Sequence, residues 1–145
     1  MAKLGSRAGW SGNYCHDLTA TATLTPGDSG KVFFLNSATE FTTTLPSVSN
    51  AGAGFNVKFI VKAAPSSANY VISEDGDNDT NVIIVNGISE LETDSTNDGV
   101  YNAGCTFINF IDSLAVAGDW VELLCDGTNW YATGQTNADG GVTAT

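Results

Sequence analysis

The sequence predicts an all-β protein, a single antiparallel β-sandwich or jelly-roll-like domain with an N-terminal arm. Three observations carry that expectation. Thr, Val, Ile, Asn, Asp and Gly abound, while Lys, Arg, Gln and Met, all good helix formers, are scarce. Apolar residues recur at every second position in short runs, not at helical spacing. About eight or nine such runs follow one another at spacings of roughly 8–15 residues with turn residues between them, the pattern of a sandwich, jelly roll or small barrel. A chain of 145 residues that is 42% apolar has room for one domain and an ordinary core. No fixed-period repeat is visible, which weighs against propellers and solenoids.

Residues 1–17 read as an arm, interrupted by Gly5, Gly9 and Gly12 and without hydrophobic period, yet holding Trp10 and Tyr14. The β domain is expected over 18–134. Residues 19–24 (TATATL) alternate weakly and close in a turn where Pro26 and Gly27 supply the geometry. Lys31–Leu35 follows as a buried strand. Residues 40–45 put Phe41, Thr43 and Leu45 on one face and stop at Pro46. The clearest strand is 55–61: Phe55, Val57, Phe59 and Val61 point one way, Asn56 and Lys58 the other, and Ile60 is the exception. Pro65 turns the chain into Tyr70–Ser73, and residues 82–85 (VIIV), apolar on both faces, suggest an interior strand. After a long polar loop come strands at 105–111 and Trp120–Cys125. Asp126, Gly127, Thr128 and Asn129 form a hairpin signal leading into 130–133. Residues 135–145 are expected to be loose unless a partner holds them.

A formal net charge of -11 makes nucleic acid a poor partner, because phosphate binding draws on Lys and Arg, and disfavours an anionic membrane surface for the same reason. The longest apolar runs, such as 32–35 and 82–85, are four residues long, too short for a spanning helix. The N-terminus has no hydrophobic segment of the secretory kind. Only 14% of residues are charged, a composition common where neighbours cover much of the surface. Cys15, Cys105 and Cys125 are an odd count without CxxC spacing, which argues against a disulfide framework or structural zinc and for synthesis in a reducing cytosol. Cys105 and Cys125 either meet across a sheet or remain reduced, buried, small hydrophobes.

No constellation for catalysis stands out, and the chain is read as a non-enzyme with no cofactor. The one histidine, His16, adjoins Cys15 in a Gly-rich stretch, but adjacency in sequence does not make a nucleophile–base pair. Gly52 and Gly54 precede a strand and lack the Lys-Ser/Thr of a phosphate loop. Asp75, Asp77 and Asp79 alternate in a turn as the first ligands of calcium loops do, but Thr80 stands where the sixth-position Gly belongs and Asn86 where the twelfth-position Glu belongs. The stretch reads as a solvated hairpin tip, with a weak calcium site as the minority alternative. Glu90, Glu92, Asp94 and Asp98 form a second acidic loop, read as an exposed charged face more readily than as a glycosidase carboxylate pair. Trp120, Trp130 and Tyr131 offer either a sugar platform or core packing.

Three phrases stand in order along the chain: LTATATLTPGDSGKVFFLNSATEFTTTLP, GAGFNVKFIVKAAP and AGDWVELLCDGTNWYATG. Through them, over most of residues 17–134, the chain resembles a family of small phage virion proteins that includes capsid decoration (cement) proteins and fibre domains. The resemblance implies a sandwich or jelly-roll fold, a homotrimer, no catalysis, and a place on the virion surface bound to the major capsid protein. A short chain without shaft or repeat favours the decoration reading over a fibre domain that binds host glycan. Residues 3–16 depart from the family pattern. There Lys3 and Arg7 offer positive charge and Trp10 and Tyr14 apolar area, so the arm is expected to be the capsid anchor.

Overall fold

The computed structural model describes residues 14–37, 39–92 and 99–145. Its strands are β1 (Cys15–Leu18), β2 (Ala22–Thr23), β3 (Lys31–Leu35), β4 (Phe41–Thr44), β5 (Asn56–Val61), β6 (Tyr70–Ser73), β7 (Ile83–Glu90), β8 (Gly99–Cys105), β9 (Phe107–Phe110), β10 (Trp120–Cys125), β11 (Trp130–Thr136) and β12 (Val142–Ala144). A large sheet has the order β1-β3-β5-β10-β11-β7-β8, and a small sheet the order β12-β9-β6-β4-β2. The protein is an all-β sandwich of these two packed sheets.

The sheets are mixed, which corrects the antiparallel expectation. From β1 to β7 the chain changes sheet at every step. Strands that are neighbours within a sheet are therefore second neighbours in sequence, and they run the same way: β1 with β3, β3 with β5, β2 with β4, and β4 with β6. Only β7–β8 and β10–β11 are consecutive strands paired antiparallel in one sheet. The alternation that marks a strand is the same whether the next turn folds back as a hairpin or crosses to the other layer, so strand positions are readable where the pairing partner is not.

Alternation does place the core. Phe33 and Leu35, then Val57, Phe59 and Val61, then Val121, Leu123 and Cys125 point inward from the large sheet, and all are buried. Phe41, Tyr70, Ile72, Ile108 and Phe110 face them from the small sheet. Trp130 is fully buried and meets Phe55 edge-on, with ring centroids 5.3 Å apart. Tyr70 is buried by its ring, and its hydroxyl donates to the Ala63 carbonyl at 2.8 Å, which removes the penalty of burying a phenol.

Several boundaries move. The stretch expected as arm ends in a strand, because Cys15–Leu18 pairs with β3. The expected loose tail is also held: Val142 is fully buried and β12 pairs antiparallel with β9. Of residues 19–24 only Ala22–Thr23 is strand. The long polar loop contains β8, and the run 105–111 divides at Thr106, where the chain leaves one sheet for the other. A short helix, α1 (Val48–Ala51), precedes the Gly52 and Gly54 turn, and the Ser47 side chain accepts from Asn50 N.

Candidate functional site

The outward face of the large sheet departs from what alternation leads one to expect. Outward positions of a sheet with one wet face are ordinarily polar. Here the register sets Trp120 of β10 beside Ile60 of β5, and Ile60 beside Phe34 of β3. The next row carries Glu122, Lys58 and Val32. The row after that brings Leu124 beside Tyr131, and Tyr131 beside Ile84 of β7. Leu124 is 49% and Tyr131 42% exposed, and Phe34, Ile60, Ile84 and Trp120 are half-buried with nothing of the described chain stacked over them as a layer. Two apolar groups, one of Trp120, Ile60 and Phe34 and one of Leu124, Tyr131 and Ile84, thus flank the row of Glu122 and Lys58, with Asn56, Thr133 and Gln135 also facing outward. Exposed apolar groups of this size suit a contact site.

The polar groups on this face are arranged around the apolar ones. Lys58 Nζ lies over the Trp120 ring, 3.9 Å from its centroid, a cation–π contact. Glu122 stands directly across from Lys58. At one margin Lys62 Nζ pairs with Asp17 Oδ2 at 2.6 Å and lies 6.0 Å from the Phe34 ring. At the other margin the Tyr131 hydroxyl donates to Asp126 Oδ2 at 3.1 Å. The Asn129 and Thr128 amides hold the Asp126 carboxyl below its ordinary range, and accepting that hydroxyl raises the Tyr131 pKa. Within these rows and margins Lys58 and Lys62 stand against Asp17, Glu122 and Asp126, so the face carries only a small part of the chain's net charge of -11.

The residues singled out from the sequence fall elsewhere. Lys3, Arg7 and Trp10 of the arm lie outside the described residues, as do Asp94 and Asp98. Tyr14 is 49% exposed and its carbonyl accepts from Val32 N at 2.8 Å, at the start of β1. Cys15 and His16 do not converge: consecutive strand residues project to opposite faces, and His16 lies beside Phe33 with centroids 5.9 Å apart while Cys15 is exposed. Glu92 is exposed as expected, but Glu90 is half-buried and its Oε1 accepts from Gly140 N at 2.9 Å, so it holds the C-terminal segment where an exposed loop residue was expected.

Asp75, Asp77 and Asp79 do not gather around one point, and among the described residues no group of three acidic, His or Cys side chains is placed to hold a metal ion. Asp75 binds within its own turn, to Asn78 Nδ2 at 2.9 Å. The tip of the turn, 76–78 and Thr80, is exposed as the reading of a solvated tip expects, but Asp79 departs from it: it is buried and accepts from Val48 N at 3.0 Å, at the start of α1. Glu74, just before the turn, is 2% exposed and accepts from Asn81 N and Val82 N, both at 2.9 Å. Cys105 and Cys125 are free and buried, and β11 and β7 stand between their strands, too far apart for a disulfide. Burial, helped by Glu74, pushes the Cys105 thiol up to about 11.

Of the three aromatics offered as a sugar platform, Trp130 is core, and only Trp120 and Tyr131 face outward. The sequence reading missed the face as a whole, although Ile60 as an exception to alternation was its signal. It also missed Asp119, 4% exposed, whose carboxylate accepts from Val116 N, Asn137 N and the Thr136 hydroxyl. No family model, curated protein or solved structure matches this chain.

Proposed function

We propose that this chain is a structural virion protein that works by protein–protein contact: a decoration protein bound to the major capsid protein on the outer surface of a phage head. The observation that carries the reading is the weakly charged, largely apolar outward face of the large sheet, centred on Trp120 and Ile60. Such a face suits a protein that functions by being covered. The resemblance of its three sequence phrases to small virion proteins supplies the setting. Those phrases map onto three structural units in chain order: the first spans from the end of β1 to β4, the second β5, and the third, after β6 to β9, the β10–β11 hairpin. The buried carboxylates Glu74, Asp79 and Asp119 hold backbone amides, a use that serves the fold and requires no chemistry of them. In this reading the chain is made in the host cytoplasm and acts without catalysis.

The test is addition of the purified chain to undecorated heads, followed by pelleting and a count of copies per particle. Saturable binding at hundreds of copies, with heads that resist heating better, is the expected outcome. Absence of binding to heads, together with binding of the free chain to host-surface glycan at Tyr131, would replace this reading with the fibre-domain one.

A further inference from the structure

Strand β7 carries an irregularity that no neighbouring strand shares. Val85 and Ile88 are both fully buried although three residues apart, a spacing that would put them on opposite faces of a regular strand. Between them, Asn86 and Gly87 are exposed. The register shows how the phase is restored. From Val85 to Ile88, β7 takes three steps while β11 takes two, from Ala132 to Gly134. From Asn86 to Ile88 it takes two steps while β8 takes one, from Tyr101 to Val100. Gly87 is therefore the extra residue of a bulge in both ladders at once. Its φ of 116° is one that side chains rarely permit, and no heavy atom lies within 4 Å of where its Cβ would stand.

Asn86-Gly87 is also the one Asn-Gly pair in the sequence. We propose that this bulge is a site of spontaneous covalent modification, at which Asn86 loses ammonia and becomes a carboxylate in the folded protein. The Gly87 nitrogen gives up its proton to base and bonds to Asn86 Cγ. The Cγ–Nδ2 bond breaks, ammonia leaves and a cyclic imide closes. Water then opens the ring, at Cγ to give aspartate or at the backbone carbonyl to give isoaspartate, whose chain runs through the side-chain carbon. No oxidant, enzyme or cofactor enters the balance. A regular ladder resists this step, because the attacking nitrogen is held toward the neighbouring strand and cannot turn to its own side chain. The skipped register and the open space around Gly87 relieve that restraint, and among the described residues no hydrogen bond ties the Asn86 side chain. Asp126-Gly127 is a contrasting pair: its carboxylate accepts from the Thr128 and Asn129 amides, each at 2.7 Å, which holds it away from the Gly127 nitrogen. The product adds a negative charge to a chain that already carries -11, beside the 71% exposed Tyr101 that pairs with Asn86.

The experiment incubates the full chain at mildly alkaline pH, folded and in denaturant, with circular dichroism as the check on folding, and follows peptides by mass. The peptide carrying residue 86 is expected to gain about 1 Da, at a folded rate no less than about a tenth of the denatured one. Peptides carrying the other asparagines should lag by at least about tenfold in the folded chain. The rate should rise with pH, since the attacking amide must lose a proton. Two product peaks are expected, one of which runs with the same peptide from an Asn86→Asp chain and the other of which is isoaspartate. Asn86→Gln, which must close a larger ring, should suppress the gain without altering the fold. Reaction in denaturant but not in the folded chain would show that the ladder protects Gly87 and would overturn the proposal. So would an earlier gain at another asparagine, a rate indifferent to pH, or an aspartate peak without isoaspartate.

Discussion

The two faces of the large sheet are built from the same kinds of side chain and differ in what covers them. Phe33 and Phe59 on the inner face are stacked 5.8 Å apart beneath the small sheet, while their sequence neighbours Phe34 and Ile60 lie side by side on the outer face, with no second sheet above them among the described residues. Apolar content alone does not say whether a face belongs to the core; connectivity does. The inner face is covered by strands of the same chain, so its loss is felt as folding stability. Among the described residues no second sheet covers the outer face, so a loss there is expected to be felt more in association than in folding stability.

The largest effect should therefore come from the inner face. Phe59→Ala empties a fully buried site and is expected to destabilise the fold by about 3–5 kcal/mol, read from the midpoint and slope of chemical denaturation. Leu124→Ala removes a side chain of comparable hydrophobicity from the outer face. It should change the stability of the dissociated chain by no more than about 0.5 kcal/mol. Equal losses for the two would erase the distinction between the faces.

Next in size are the polar and backbone devices that close the inner layer. Asp119→Ala leaves the Val116 and Asn137 amides and the Thr136 hydroxyl without their acceptor in a buried place, and about 2–4 kcal/mol should be lost. Gly134 sits where β11 shifts register, and a Cβ there would collide with the Trp120 carbonyl oxygen of β10. Gly134→Ala is expected to destabilise by at least about 1–3 kcal/mol and to disturb Trp120 fluorescence. A parental melting temperature in either variant would show that the β10–β11 contact is looser than the geometry describes.

How much of this was legible in the sequence follows the same division. The inner face was readable, because Val57, Phe59 and Val61 alternate with Asn56 and Lys58 and period two means a strand. The β10–β11 hairpin was readable through Asp126 and Gly127, which turn chemistry demands at that place. The crossing of the chain between layers was not, since parallel partners such as Phe33 and Phe59 are brought together by connections that carry no signature of their own. The tail was misread because Gly140 and Gly141 look like a loose end, whereas Val142 is buried, Glu90 accepts from Gly140 N and β12 pairs with β9. Glu74 and Asp119 were passed over because a buried carboxylate held by backbone amides differs from a surface one only in its surroundings. The outer face left only scattered traces, Ile60 as an exception to alternation and Ile84 in a run apolar on both faces, and single apolar residues at polar positions are too ordinary to interpret without their neighbours across the strands.

The smallest expected effect concerns two aspartates at opposite extremes of exposure. Asp79 is buried against α1, and its pKa is raised mainly by that burial; the Val48 amide opposes the shift, and Asp75 and Glu74 add to it. Asp126 sits in an exposed turn, and its pKa is lowered by the Asn129 and Thr128 amides. The linkage signs are opposite. A carboxyl whose pKa is higher in the folded state than in the unfolded one weakens the fold once it ionises, and that loss is relieved as the pH falls through the raised value. A carboxyl whose pKa is lowered contributes stability at neutral pH that is lost as the pH falls through its folded value. Asp79→Asn keeps an oxygen for the Val48 amide and removes the charge, so it should raise the melting temperature at pH 7 by an amount equivalent to less than about 1 kcal/mol. The gain should vanish below the ordinary carboxylate range, where both proteins are neutral at this position. Asp126→Asn should show a small loss at pH 7 that likewise fades in acid. Melting curves of the parent and both variants across that pH range check the signs. A drop in stability for Asp79→Asn at pH 7 would mean that the charge itself, and not merely an acceptor, is needed to seat α1.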